Sequence, residues 1–344
     1  MNKRQSIRSV PPKMVVAAAI VVAAILASAP SWVAPGNLRL MLEILVVLTM
    51  AQLWNLLAGY VGLLSLGHQG FVGIGAYALF NISNHGGLSP FIAFPFAVVI
   101  CALVAAGIAP FLFRLRDAYF AIAIWVLAEI ARVTVTNTRW LGQIAGTSLR
   151  TASGFPRHWY IMDCYWLAAG FALFSIMATY ALMRTRLGLA LMAVRDNERT
   201  AASVGIDVWN SRFVAFIVSA AGCGAAGAIF YMSIYFVQPE AAFDPNWVVI
   251  MMFIVIIGGI GTIEGPVIGT AIYFGLREAF ADAGTWYLIL MGTVAVITML
   301  VAPKGIWGYI RARFGVEIFG VRRVPFEMTA DTANQERLAP QPRI

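Results

Sequence analysis

The stretch 59–77, GYVGLLSLGHQGFVGIGAY, sets six glycines, a histidine and a glutamine between long apolar segments. Glycine weakens a helix interior by about 1 kcal/mol relative to alanine in water, so the meaning of the stretch depends on the solvent around it. Composition settles that. The chain has 344 residues, 60% of them hydrophobic and 12% charged, whereas soluble domains are about a quarter charged. It is an integral membrane protein of the all-α polytopic class. Apolar runs of bilayer-crossing length, roughly 17 to 25 residues, recur near 14–33, 38–57, 60–82, 91–113, 118–138, 164–183, 213–236, 246–262, 265–281 and 285–302. The sequence therefore predicts about ten transmembrane helices, in one membrane body over 14–302.

Charge orients this body. With both termini in the cytoplasm, the segments 1–13, 114–117, 184–212 and 303–344 lie inside and carry 18 of the 24 Lys and Arg residues. That is the positive-inside bias, so the net charge of +8 reports topology rather than a nucleic-acid site. The N-terminus, MNKRQSIRSVPPK before an apolar run ending LASAP, also has the form of a signal peptide with an A-x-A-like site at Ala27 to Ala29. Pro30 after the possible cut disfavours cleavage, and the topology retains this run as span one. Cys101, Cys164 and Cys223 sit in or beside apolar spans with no metal-site or disulfide spacing and read as small packing residues.

Two hydrophilic segments interrupt the pattern. RTRLGLALMAVRDNERTAASVGIDVWNSR, 184–212, mixes both charge signs with helix formers and predicts one or two short cytoplasmic helices. The tail 303–344 is polar and aperiodic toward its end, which predicts a partly disordered cytoplasmic domain. On the other side the longest loop, 139–163, is rich in Gly, Ser, Thr and Pro and reads as irregular.

Charge inside a span needs a reason. Glu129 and Arg132 lie three apart in AEIARV, on one helix face, and Arg39 and Glu43 lie four apart near the outer end of span two. Glu129, the deep one, either faces a water-filled pathway or staples helices through Arg132. For 59–77 two readings stand together. The glycines form a close-packing seam, or Ser65, His68 and Gln69 mark a broken helix beside the translocation path, since irregular backbone survives in a bilayer only where protein or a cavity surrounds it. GGIGTIEGPVIG, 258–269, lacks nucleotide-loop spacing and reads as a tight turn between spans eight and nine. No Walker A motif is present.

Three blocks together carry a resemblance. LWNLLAGYVGLLSLGHQGFVGIGAYAL, YFAIAIWVLAEIARV, and GGIGTIEGPVIG with MLVAPKGIWGYI, in order over about 42–310, resemble the LivM-type permease of branched-chain amino acid ABC transporters. The resemblance implies a multi-pass subunit in a bacterial inner membrane, in contact with lipid, that pairs with a homologous second permease, two ATPase subunits and a periplasmic substrate-binding protein. It implies that ATP is bound and cleaved by those partners, leaving this chain without catalytic residues or cofactor. It also implies that AVRDNERTAASVGI is the coupling segment, with Arg195, Asp196, Glu198, Ala201, Ala202 and Gly205 docking in the ATPase. Arg199 and Thr200 intervene between Glu198 and the alanine pair, a departure from the EAA-like motif of the family. The residues by themselves also admit a secondary transporter or channel for a small polar solute such as urea, although matched broken repeats are not visible.

Overall fold

A computed structural model describes residues 8–9, 12–154, 156–280, 286–302, 304–314, 316–317 and 319. Helices α1 (Pro12–Ser28), α2 (Pro35–Tyr60), α3 (His68–Gly86), α4 (Pro90–Leu112), α5 (Asp117–Asn137) and α6 (Arg157–Met183) come first. The short pair α7 (Arg186–Asp196) and α8 (Glu198–Ser203) leads to α9 (Val208–Ile234), then α10 (Pro239–Ala242), α11 (Asn246–Gly258), α12 (Glu264–Ala279), α13 (Trp286–Val301) and α14 (Gly305–Phe314). The fold is thus an all-α polytopic membrane protein. Most of the expected N-terminal segment 1–13 and of the tail 303–344 lies outside the described residues.

Seven helical runs among the described residues are long and apolar enough to cross a membrane: Gly36–Tyr60, Pro90–Leu112, Ala118–Asn137, His158–Met183, Val208–Ile234, Pro239–Gly258 and Ile289–Arg313. The ten expected spans are not reached by this measure, for reasons visible in each shortfall. Helices α1 and α12 have 17 and 16 residues. Helix α3 has 19, but its glycines, His68, Gln69 and two asparagines dilute its apolar character.

Helix α9 is the hub. Its run Ser219–Ile229 is built from Ser, Ala, Gly and Cys up to the final isoleucine, and nearly all of it is buried. Small residues let backbones approach where no hydrophobic force drives helices together in lipid. Leu53 of α2 fills the space over Gly222, Cys101 of α4 lies against Gly224, and Val72 of α3 lies against Gly227. The α3–α9 crossing is closest at Gly75, where an added Cβ would collide with the Gly224 carbonyl.

The opening stretch resolves into a break and a seam. Helix α2 ends at Tyr60, and the chain turns through Gly62 at φ +82°, a left-handed conformation that suits glycine. Residues 61–67 then run back into the bundle without helical structure. The Trp54 indole donates to the Ser65 carbonyl at 2.9 Å, so Ser65 lies level with a residue six positions, or about 9 Å, above the end of α2. Helix α3 starts at that depth, not near residue 60. The Leu63 amide reaches the Leu57 carbonyl at 3.2 Å, so backbone groups of the returning strand find partners on α2, as irregular backbone at this depth requires.

Helix α5 packs Phe120, Ile124 and Ala128 inward and leaves Trp125, Val126, Ile130 and Val133 about half exposed. At its far end the loop before α6 carries a two-residue antiparallel pairing, Thr147–Ser148 with Phe236–Val237. Asn84 of α3 clamps that loop, donating to the Ser148 carbonyl and accepting from the Arg150 amide, both at 2.9 Å. Helix α6 begins at Arg157, earlier than the irregular loop expected to residue 163, because Tyr160, Cys164 and Tyr165 already point into the core. The expected Arg39–Glu43 proximity is not used as a pair: Glu43 accepts instead from Arg277 of α12 at 2.5 and 3.3 Å, a partner that crosses between helices.

Candidate functional site

Polar chemistry inside the bundle begins with His68, the first residue of α3. Its Nδ1 lies 2.6 Å from Ser65 Oγ and its Nε2 lies 2.8 Å from Ser219 Oγ. Ser219 donates its own hydroxyl proton to the Leu53 carbonyl at 2.7 Å. It must therefore accept from His68 Nε2–H, which leaves Nδ1 to accept from Ser65. Ser65, His68 and Ser219 are all fully buried, and the rings of Phe71 and Phe216 meet the imidazole edge-on at 5.7 and 6.4 Å. The result is a closed relay that ties the break to α2 and α9. Gln69 is also buried, with its Oε1 unpartnered among the described residues, as are both amide atoms of Gln52.

Glu129 lies elsewhere, on the outward face of α5. Arg132 Nε donates to Oε1 and Oε2 at 2.9 and 3.0 Å, and Nη2 also reaches Oε1. The carboxylate side chain is nonetheless 48% exposed and the guanidinium 29%. The pair looks onto a groove of about 320 Å³ lined by Trp125, Val126, Glu129, Ile130, Val133 and Thr134. Ser65, His68 and Gln69 are thus brought together by the fold, while Glu129 is not one of their company.

A third cluster joins the hydrophilic segment to the bundle. Arg195, near the end of α7, donates through Nη1 to the Gly59 carbonyl at 2.7 Å, one of the last carbonyls of α2. Beside it, Asn55 donates to the Thr262 carbonyl and accepts from the Gly261 amide, both at 2.8 Å. Arg195 also packs against Gly62 and Gly261. One guanidinium therefore touches the end of α2, the turn that starts the break, and the glycine turn between α11 and α12.

A family described as branched-chain amino acid transport system, permease component, matches residues 36–302. The chain belongs to this permease family. Among curated relatives, the high-affinity branched-chain amino acid transport permease protein LivM of Salmonella typhimurium is 26% identical over 303 residues, covering 80% of this chain and 71% of the relative. A probable LivH permease of Methanocaldococcus jannaschii is 25% identical, covering 68% and 80%. A nucleoside ABC transporter permease protein, NupC, of Lactococcus lactis is 26% identical over half of this chain and 60% of its own length. No solved structure matches.

In the permease the residues proposed for ATPase docking divide by direction. Arg195 is turned onto α2, and Ala201 is 2% exposed. Glu198 opens α8 and takes a two-pronged pair from Arg212 of α9 at 3.1 and 2.9 Å. Asp196, Ala202 and Gly205 face outward instead, the last at φ +84° with no atom near its missing Cβ. Val204, 72% exposed, stands among them. Sequence reasoning missed Ser219, Asn55 and Arg277. The first two are lone polar residues in apolar runs, a weak signal that intramembrane polarity alone could have raised.

Proposed function

We propose that this permease is the membrane-spanning subunit of an ATP-driven importer for branched-chain or related amino acids in a bacterial inner membrane. The observation that carries this reading is the Arg195 joint. The hairpin α7–α8 lies outside the bundle and presents Asp196, Ala202, Val204 and Gly205 to a partner, while Arg195 grips the end of α2 and lies on the α11–α12 turn. A push on such a hairpin reaches two bundle segments at once, as a subunit driven by separate ATPases requires. A family of permease components, with LivM and LivH proteins among the relatives, supports the rest.

On this reading α1, α3 and α12 join the seven longer spans to make ten, with both termini and α7–α8 in the cytoplasm by the positive-inside bias. Two ATPase subunits bind and hydrolyse ATP, a homologous permease completes the membrane body, and a periplasmic binding protein delivers cargo to the opposite face, where the 139–156 loop lies. Closure of the ATPases shifts α7–α8, and Arg195 passes the shift to α2 and the 259–263 turn, changing which side of the bundle is open. The family match and the inward-turned joint favour this over a secondary carrier or channel.

The test is purification of the tagged permease in mild detergent from its native membrane, with identification of the co-purifying chains. Recovery of an ATPase and a second permease is expected. A chain that purifies alone and moves solute in liposomes without ATP would sink the reading.

A further inference from the structure

An ion pair half exposed on the outer face of a membrane helix is an unusual expense. At bilayer depth a charged side chain costs some 2.5 kcal/mol or more against lipid and is found facing a bundle interior or a wet cavity. Helix α5 satisfies its inward packing with Phe120, Ile124 and Ala128, so the Glu129–Arg132 pair is not needed to hold it. The pair is also complementary to something. A carboxylate and a guanidinium stand side by side, one turn of helix apart, with Arg132 Nη1 outside the bonds that join them. Around them Trp125, Val126, Ile130 and Val133 offer an apolar bed in a groove of about 320 Å³, within the usual range of small-ligand sites.

We infer that this face of α5 is a transit half-site for a zwitterionic α-amino acid with an aliphatic side chain. Glu129 receives the ammonium group, Arg132 Nη1 the carboxylate, and the side chain lies along Trp125, Ile130 and Val133. An ammonium and a carboxylate on one carbon match a negative and a positive group at i and i+3, whereas a molecule with one charge or none leaves one pole of the pair unmatched. The site deepens the importer reading and rests on it. The homologous permease, facing α5 across the pathway, would close the other half.

The test uses the complete transporter in proteoliposomes, with ATPases, second permease and binding protein, and reads ATP-dependent uptake of labelled leucine. Glu129→Gln and Arg132→Gln should each lower uptake about tenfold or more, the equivalent of one lost charge-assisted hydrogen bond. The exchange of the two residues, E129R with R132E, restores an ion pair but reverses its poles; it should keep the parent melting temperature and still fail to transport. Where a single variant does not fold, Val133→Cys supplies a second reading, because Cys101, Cys164 and Cys223 are all buried and leave the new thiol the one to label on this chain, read after the subunits are separated. Leucine with ATP should slow its reaction with a water-soluble maleimide several-fold. Transport by the reversed pair, single variants within twofold of the parent, or no protection of the thiol would overturn the inference while leaving the importer reading intact. A parent complex that moves no aliphatic amino acid would remove both.

Discussion

A histidine in hydrocarbon is affordable when it stays neutral and both its nitrogens are used, and His68 meets both conditions through Ser65 and Ser219. His68→Ala should therefore act as a packing and hydrogen-bond lesion: two buried hydroxyls lose partners at about 1–3 kcal/mol each. The expected outcome is a clear drop in melting temperature in detergent, with no effect on which solutes are carried. The SLGHQG motif announced a break in the sequence, but its closing partner did not announce itself, because one serine 151 residues away leaves no mark on hydrophobic periodicity. Arg195 gives the complementary case. The family resemblance placed it among the docking contacts, and only a three-dimensional arrangement shows it reaching the Gly59 carbonyl. Arg195→Ala should cut ATP-dependent uptake at least tenfold, the loss of a charge-assisted bond at the joint, while the ATPase still co-purifies. Loss of co-purification instead would return Arg195 to the docking surface.

Elements were legible in proportion to their apolar length. Runs such as 91–113 and 213–236 were plain from composition and return as Pro90–Leu112 and Val208–Ile234. The small-residue character of α9 was passed over because its glycines are interleaved with alanine rather than clustered, although Gly222, Gly224 and Gly227 are what admit α2, α4 and α3. A bulky residue at the tightest crossing should be poorly tolerated: Gly75→Leu forces α3 from α9, at a cost of the order of 1–3 kcal/mol for overpacking or more, read as a lowered yield of folded protein and a lowered melting temperature. The α7–α8 hairpin carries the opposite expectation. Val204 is 72% exposed, so Val204→Asp should leave thermal stability within about 0.5 kcal/mol yet weaken recovery of the ATPase in the pull-down. Unchanged recovery would place the docking surface elsewhere on the chain. The direction of α5 was not legible at all: Glu129 and Arg132 were visible as a pair on one face, but which face turns inward is decided by Ile124 and Ala128 meeting α3 at Gly67 and Gly70.

For the whole molecule, the distribution of Lys and Arg gave an orientation before any helix was placed, and the parity of the spans makes it testable. Ten spans put both termini on one side, and seven would put them on opposite sides. Fluorescent protein fused to either terminus should be bright, and alkaline phosphatase fused after residue 145, in the α5–α6 loop, should be active; a dark C-terminal fusion would exclude the ten-span arrangement. What length and hydropathy could not convey is that α3 begins inside the bundle, because the returning strand, held on one side by Trp54 and Leu57 of α2, is closed on the other by a helix that comes much later in the chain. That shelter has a consequence for synthesis. The groups that close the break, Ser219 on α9 and its acceptor Leu53 on α2, are 166 residues apart, and at about 5–20 residues per second the ribosome takes roughly 8–33 s to bridge them. For most of that interval the segment 61–67 has been made with its α2 partners Trp54 and Leu57 but without the α9 side of its clamp, so the nascent chain has to be held, by the insertion machinery or by water at the membrane surface, until α9 arrives to lock the break in place.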